Sequence, residues 1–301
     1  MDSKIFKISL IAALAGFLFG FDTVVISGAE KKLQLLWETS DAYHGTVVIG
    51  MALFGTVIGA IFGGFPTNRF GRKRTLIWIG VLYSVSAIGS ALSNDPVTFG
   101  IFRFLGGIGI GASTVAAPTY ISEIAPAEQR GRLVGMYQFN IVFGILVAYF
   151  SNYLLNGIGD NDWRWMVGVE AFPALIYTAF AFGIPKSPRW LVTQHREEEA
   201  AGILEKLGLK LSVGDIVRDL EANVQAGAET IFMKKYRFPL LLAFLIAFFN
   251  QFSGINAFLY YAPRIFELAG LEESTALLSS IGIGVTNLVF TLLGIYLIDR
   301  L

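Results

Sequence analysis

Asp22, Arg103 and Glu170 each stand inside a long apolar run. A charged side chain near mid-membrane costs about 2.5–3.5 kcal/mol on insertion scales, so charges kept there are usually functional. At the rise of an α-helix, each lies roughly 9–10 Å from the end of its run. Three charges at one level can satisfy one another. Protonating Asp22 would release Arg103, and the two arrangements can favour different conformations. That chemistry is proton coupling. The alternative is a static buried ion pair that fixes helix packing. Glu170 is either a third member of the group or an anchor for Arg103 or a backbone group.

A second chemistry sits in residues 250–261, where Asn250, Gln251, Ser253, Asn256, Tyr260 and Tyr261 crowd one apolar run. Carboxamides both donate and accept hydrogen bonds. Beside aromatic rings they suit a ligand with many hydroxyls and an apolar face, such as a sugar. Gln251 and Asn256 are five residues apart, about 140° around a regular helix. Gly254 lies between them and can relax that helix, as discontinuous transporter helices do. Gln138 and Asn287 are further amides in apolar runs. For each amide the alternative is bonding between helices, worth about 0.6 kcal/mol on average.

The elements that carry these residues are membrane spans. Of 301 residues, 54% are hydrophobic and 15% charged, and mean hydropathy is +0.60; soluble domains carry about 25% charge. A membrane helix needs about 20 mainly apolar residues. Eight such runs lie near 7–29, 46–65, 75–93, 97–121, 133–155, 163–184, 238–262 and 275–298. The first is too long, and too polar at Asp22, for a cleaved signal peptide. Of the 23 Lys and Arg residues, eighteen fall in segments on the side of the N-terminus and four opposite, with Arg103 inside a span. That bias places both ends in the cytoplasm. Equal numbers of acidic and basic residues argue against a nucleic-acid partner.

Six spans occupy residues 1–190, a polar stretch 191–237 follows, and 238–301 holds two more. The stripes Ile203, Leu204, Leu207 and Val213, Ile216, Val217, Leu220, Val224 have helical spacing, which predicts amphipathic helices on the inner face. Asn68-Arg69-Phe70-Gly71-Arg72-Lys73 follows span 2, and Asp299-Arg300-Leu301 follows span 8. This faint repeat suggests two parallel six-span halves. On that scheme the chain holds one half plus two helices of another, with four spans missing and no coupled uptake expected. Cysteine is absent and the only histidines, His44 and His195, lie outside these runs. A membrane enzyme or metal site is therefore not expected. Gly107-Ile108-Gly109-Ile110-Gly111-Ala112 matches a dinucleotide loop, but no strand precedes it and it lies within a span.

The chain resembles the sugar porter family of the major facilitator superfamily. The likeness rests on Gly16-Phe17-Leu18-Phe19-Gly20-Phe21-Asp22-Thr23, the Asn68–Lys73 string and Arg103-Phe104-Leu105-Gly106-Gly107-Ile108-Gly109. It rests further on Pro118-Thr119-Tyr120-Ile121-Ser122-Glu123, Arg130-Gly131, Pro185-Lys186-Ser187-Pro188-Arg189-Trp190-Leu191 and Gln251-Phe252-Ser253-Gly254-Ile255-Asn256. The closest look is to bacterial pentose and hexose symporters. The resemblance implies an all-α major facilitator fold and a monosaccharide and a proton as cargo. It implies a monomer without cofactor or metal, in the bacterial inner membrane. By resemblance, Gln138, Gln251, Asn256 and Asn287 bind sugar, while Phe19 and Tyr260 line the cavity. Arg72, Glu123, Arg130 and Arg189 form ion pairs that latch the halves when the carrier faces outward. Alternatives are a facilitative sugar or polyol carrier and a transport-inactive fragment or sensor. The sequence departs from the family pattern at Asn250, Ile145 and Lys186, where a glutamine, a second amide and a glutamate are usual.

Overall fold

The computed structural model describes residues 3–209, 211–225 and 233–298. Those residues form helices and connecting turns, and no strand occurs among them. Eight helical segments are long and apolar enough to cross a membrane. They are Ser3–Gly28, Asp41–Phe62, Arg72–Leu92, Pro96–Ile124, Arg130–Leu155, Asp162–Gly183, Lys234–Leu268 and Glu273–Leu297, called spans 1 to 8 below. Span 2 begins five residues earlier than its apolar run, because a π-helical turn over His44–Ile49 continues into the helix. His44 thus lies inside a span, which corrects the expectation that no span holds a histidine. The string Asp299-Arg300-Leu301 and the side chain of Val224 lie outside the described residues.

Local chemistry sets the helix ends. Asp95 caps span 4 by accepting from the amides of Val97 and Thr98 at 3.0 and 2.9 Å, with Pro96 next in the chain. A capping carboxylate satisfies donors that have no partner within the helix. Bonds from Thr98 hold that carboxyl below the usual carboxylate range. Gly254 has a φ of +78° and divides span 7 into Arg237–Phe252 and Ile255–Leu268. Such a left-handed residue costs glycine little.

Span 1 is the axis of the assembly, packed on spans 4 and 5. Ala12, Ala13, Ala15 and Leu18 are buried on it with Tyr83, Tyr120 and Tyr137. The second helix of span 7 docks here too: Leu259 and Ala262 pack with Phe21, Val25 and Ile145. The Tyr149 hydroxyl donates to the Leu259 carbonyl at 2.9 Å. Arg237–Phe252 has no buried residue. Beyond span 6, helices Pro188–Thr193, Glu197–Leu207 and Val213–Gln225 share an apolar cluster of Trp190, Leu191, Leu204 and Ile216. They sit at the bundle end that carries the basic Arg69–Arg74 loop, the basic face.

Spans 1 and 5 approach backbone to backbone. A Cβ at Gly144 would lie 2.1 Å from the Phe17 carbonyl oxygen, and one at Gly20 would lie 1.8 Å from that of Ile141. Small residues allow such contact between membrane helices. Gly144→Leu is expected to lower the thermal unfolding midpoint and to cost about 1–3 kcal/mol, the usual range for overpacking. An unchanged midpoint in detergent would contradict this packing.

Candidate functional site

Asp22, Arg103 and Glu170 converge from spans 1, 4 and 6. All three are at most 1% exposed. Arg103 Nη1 donates to Asp22 Oδ1 at 2.5 Å, and Nη2 donates to the Asp22 backbone carbonyl at 2.9 Å. One guanidinium therefore holds both the side chain and the main chain of the same residue. Glu170 lies within Coulombic reach of both partners. Its two carboxyl oxygens and Asp22 Oδ2 receive no hydrogen bond, and Arg103 Nε donates none. Two carboxylates against one guanidinium leave one negative charge. One bound proton neutralises the set and supplies a donor for an orphaned oxygen. Buried polar groups are rarely left unpaired without such a reason.

Tyr260 connects this cluster to span 7. It is 5% exposed and packs with Ile26, Val48, Phe99 and Trp163. Its phenol lies within Coulombic reach of Arg103 and Asp22. The kink at Gly254 brings the two amides of span 7 together, since Asn256 Nδ2 donates to Gln251 Oε1 at 2.6 Å. The exposed Gln138 on span 5 and the half-buried Asn287 on span 8 have no hydrogen-bonded side chain among the described residues. Half-buried Phe19 is one turn before Asp22; its carbonyl accepts from Thr23 Oγ1 at 2.8 Å.

At the basic face, Arg72 forks onto Glu123: Nε donates at 3.0 and 2.9 Å, and Nη2 at 2.7 Å. Ser187 Oγ joins the same carboxylate at 2.5 Å while capping the helix that follows. The indole of Trp190 donates to the Asn68 carbonyl at 2.8 Å. Arg189 pairs with Asp219 at 2.8 Å, on helix Val213–Gln225. Arg130 is exposed and has no ion pair among the described residues. Of the four residues expected to latch, two meet each other, and both belong to the first six spans.

The opposite face carries ion pairs that sequence reasoning missed. Arg264 on span 7 reaches Glu30, just past span 1, at 3.2 Å and donates to Gln34 at 2.6 Å. Lys31 pairs with Glu267, and Lys32 reaches Glu273 at 3.0 Å and Asp162 at 2.6 Å. Glu30 is 1% exposed and faces the buried His44, whose Nε2 is 3.6 Å away. These residues join span 1 to spans 7 and 8. Glu30-Lys31-Lys32 facing Arg264 and Glu267 was the available signal, but the charges are more than 230 positions apart in the chain.

The geometry is that of a membrane carrier, and comparison with known proteins agrees. A family model described as "Sugar (and other) transporter" matches residues 8–301. The D-xylose-proton symporter of Escherichia coli K12 is 36% identical over 333 residues, covering 99% of this chain and 68% of its own length. The arabinose-proton symporter of Bacillus subtilis is 35% identical over 303 residues, covering 97% and 65%. A solved structure of the xylose transporter XylE from E. coli, in a partially occluded inward open conformation, superposes with a TM-score of 0.86. Identity there is 35%, over 99% of this chain and 74% of that one. The chain belongs to the sugar transporter family. It is an integral, multi-pass membrane protein with the major facilitator fold, comprising the six-helix N-terminal half and the first two helices of the C-terminal half. It spans about two thirds of the length of these relatives.

The charged clamp predicts a measurable gate. The chain has no cysteine, so a single reporter at Leu35, which is 70% exposed, is clean. Arg264→Ala is expected to raise reactivity toward a membrane-impermeant maleimide at a cysteine placed at Val48, buried beneath the clamp, and to leave the Leu35 reporter unchanged. Equal reactivity at Val48 with and without the substitution would show that the clamp does not close this face.

Proposed function

We propose that this protein carries a monosaccharide together with a proton across the bacterial inner membrane by alternating access. It works as a single chain, with the basic face in the cytoplasm. The carrying observation is the dry Asp22–Arg103–Glu170 cluster, one proton short of neutrality. Its relatives named as xylose–proton and arabinose–proton symporters support the reading. The excess of positive charge on loops at the basic face supports the orientation.

The proposed cycle starts with the pair clasped. Arg103 then holds the Asp22 carboxylate and the Asp22 carbonyl, four residues before the 3₁₀ turn Ile26–Gly28. A proton placed on Asp22 removes the charge that Arg103 grips. The guanidinium turns to Glu170, the second carboxylate in reach. Span 1 is then freer to shift, and its outer end carries the Glu30 and Lys31 contacts that close the opposite face. A proton event at the centre is thereby linked to the gate through span 1 and the short helix Glu30–Leu36 that follows it. Coupling of this kind requires two discrete arrangements whose balance both ligands bias.

The sugar role is assigned to the amides. Gln138, Gln251, Asn256 and Asn287 supply donors and acceptors for ring hydroxyls, and Phe19 and Tyr260 cover an apolar ring face. Gln251 and Asn256 already form one hydrogen-bonded unit, so a sugar meets a pre-arranged pair. Tyr260 touches both chemistries, because it shares a helix with Asn256 and a field with Arg103. Arg72 and Glu123 brace the basic face, and Arg130 and Arg189 are assigned to the same gate in the outward-facing state.

Asp22→Asn removes the titratable oxygen while keeping the side chain's shape. In proteoliposomes with an imposed pH gradient, and with both six-helix halves present, accumulation of labelled xylose or another accepted sugar is expected to fall to the equilibrium level. Exchange of internal for external sugar is expected to persist. Gradient-driven accumulation by the variant would overturn the coupling role, and sugar entry that never moves protons in the unsubstituted protein would favour a facilitative carrier.

A further inference from the structure

At the basic face a cavity of about 480 Å³ opens between span 3, the end of span 6 and helix Pro188–Thr193. Its rim and its floor differ in chemistry. Five cations form the rim: Arg72, Lys73, Arg74, Lys186 and Arg196. Arg72 is balanced by Glu123. Lys186 and Arg196 share a single carboxylate, Glu199, with Lys186 Nζ at 2.9 Å. That bond holds the Glu199 carboxyl below the usual carboxylate range. Lys73 and Arg74 have no acidic partner among the described residues. The rim therefore keeps an excess of three positive charges after its two carboxylates are counted. Lys73 and Lys186 also lie close enough to repel each other. Like charges held around an open cavity call for an anion between them.

The floor says what kind of anion. It is made by Ile77, Trp78, Val81 and Phe182. Trp78 and Val81 are six and nine residues into span 3, roughly 9 and 14 Å below the rim. Trp78 is 64% exposed and Phe182 62%, both on the outside of the bundle. A free phosphate would engage the rim alone and leave this apolar wall bare. A glycerophospholipid meets both, with its phosphate among the cations and an acyl chain along the wall. Basic pockets between spans on this side of a membrane suit anionic headgroups.

We propose that this cavity is a binding site for an anionic phospholipid of the leaflet at the basic face. The headgroup sits among Lys73, Arg74, Lys186 and Arg196, and an acyl chain lies against Trp78 and Phe182. The bound lipid ties span 3 to the helices that follow span 6, beside the Arg72–Glu123–Ser187 contacts. Occupancy therefore stabilises the joint between the bundle and its inner helices.

The test uses the purified protein with four added probes: phosphatidylglycerol, phosphatidylcholine of matched chains, sn-glycerol 3-phosphate and inorganic phosphate. Bound lipid is read by native mass spectrometry and stability by thermal unfolding. Phosphatidylglycerol is expected to be retained with about tenfold preference over phosphatidylcholine, the order expected for one to two basic contacts. It alone is expected to raise the unfolding midpoint. Lys73→Gln/Arg74→Gln and Lys186→Gln are each expected to abolish the preference with midpoints in phosphatidylcholine unchanged, whereas Lys73→Arg keeps it. Equal retention of the two lipids, or preference undiminished in both glutamine variants, would overturn the proposal. So would a full effect from either soluble phosphate, which would mark an ion site. A midpoint lowered in phosphatidylcholine is resolved by Lys73→Arg: if that variant too loses the preference, the charge account fails.

Discussion

Arg103 is a large, permanently charged side chain with about 1% of its surface exposed, and it is held by a residue that is wholly buried. Taking two charges out of water is costly, and the attraction between them repays this only when geometry and extra hydrogen bonds are good. Here the geometry is good on one side of the guanidinium only. Two bonds reach Asp22, while Nε and three carboxylate oxygens around it go without partners. Removing one partner of such a pair typically costs about 3–5 kcal/mol. The cluster is therefore tightly bound to its composition yet incomplete in its protons. On the proposed reading, that incompleteness is where the coupled proton binds. A structural ion pair gains by satisfying every lone pair, whereas a carrier needs a vacancy that a proton can fill.

The rest of the architecture serves this placement. Span 1 presents Asp22, and its close backbone contact with span 5 leaves no room for a side chain at Gly20. The same helix ends in the 3₁₀ turn that leads to helix Glu30–Leu36, so the buried cluster and the outer clamp are eight residues apart along one stretch of chain. Span 7 is broken where it must be. The left-handed Gly254 lies between the paired amides Gln251 and Asn256 and starts the helix Ile255–Leu268, which packs on spans 1 and 5 through Leu259 and Tyr260. Tyr260, on the same helix as Asn256, lies beside the Asp22–Arg103 pair.

Much of this was legible from residues alone, for physical reasons. Charges in apolar runs are so costly that their positions announce themselves, and counting residues put Asp22, Arg103 and Glu170 at one level, where the structure brings them together. The eight spans followed from length and hydropathy, and the break at Gly254 from one glycine between two amides. What stayed hidden depended on pairing across the fold. Glu30, Lys31 and Arg264 look like ordinary loop charges until spans 1 and 7 are brought side by side. His44 fell just before the apolar run that starts near residue 46, and the π-helical turn draws it into span 2. Arg189 and Glu123 both carry family signatures, yet their partners, Asp219 and Arg72, are set by where the inner helices dock.

The central claim is that the Asp22–Arg103–Glu170 cluster binds one exchangeable proton. Infrared difference spectra of the purified protein, recorded across a pH titration in light and heavy water, read this directly. The account predicts a single protonated-carboxyl band that shifts on deuteration, disappears as pH rises and is altered when sugar binds. It also predicts that Arg103→Gln changes the pH at which the band vanishes. A spectrum with no protonated carboxyl at any pH where the protein stays folded, or a band indifferent to Arg103, would contradict it.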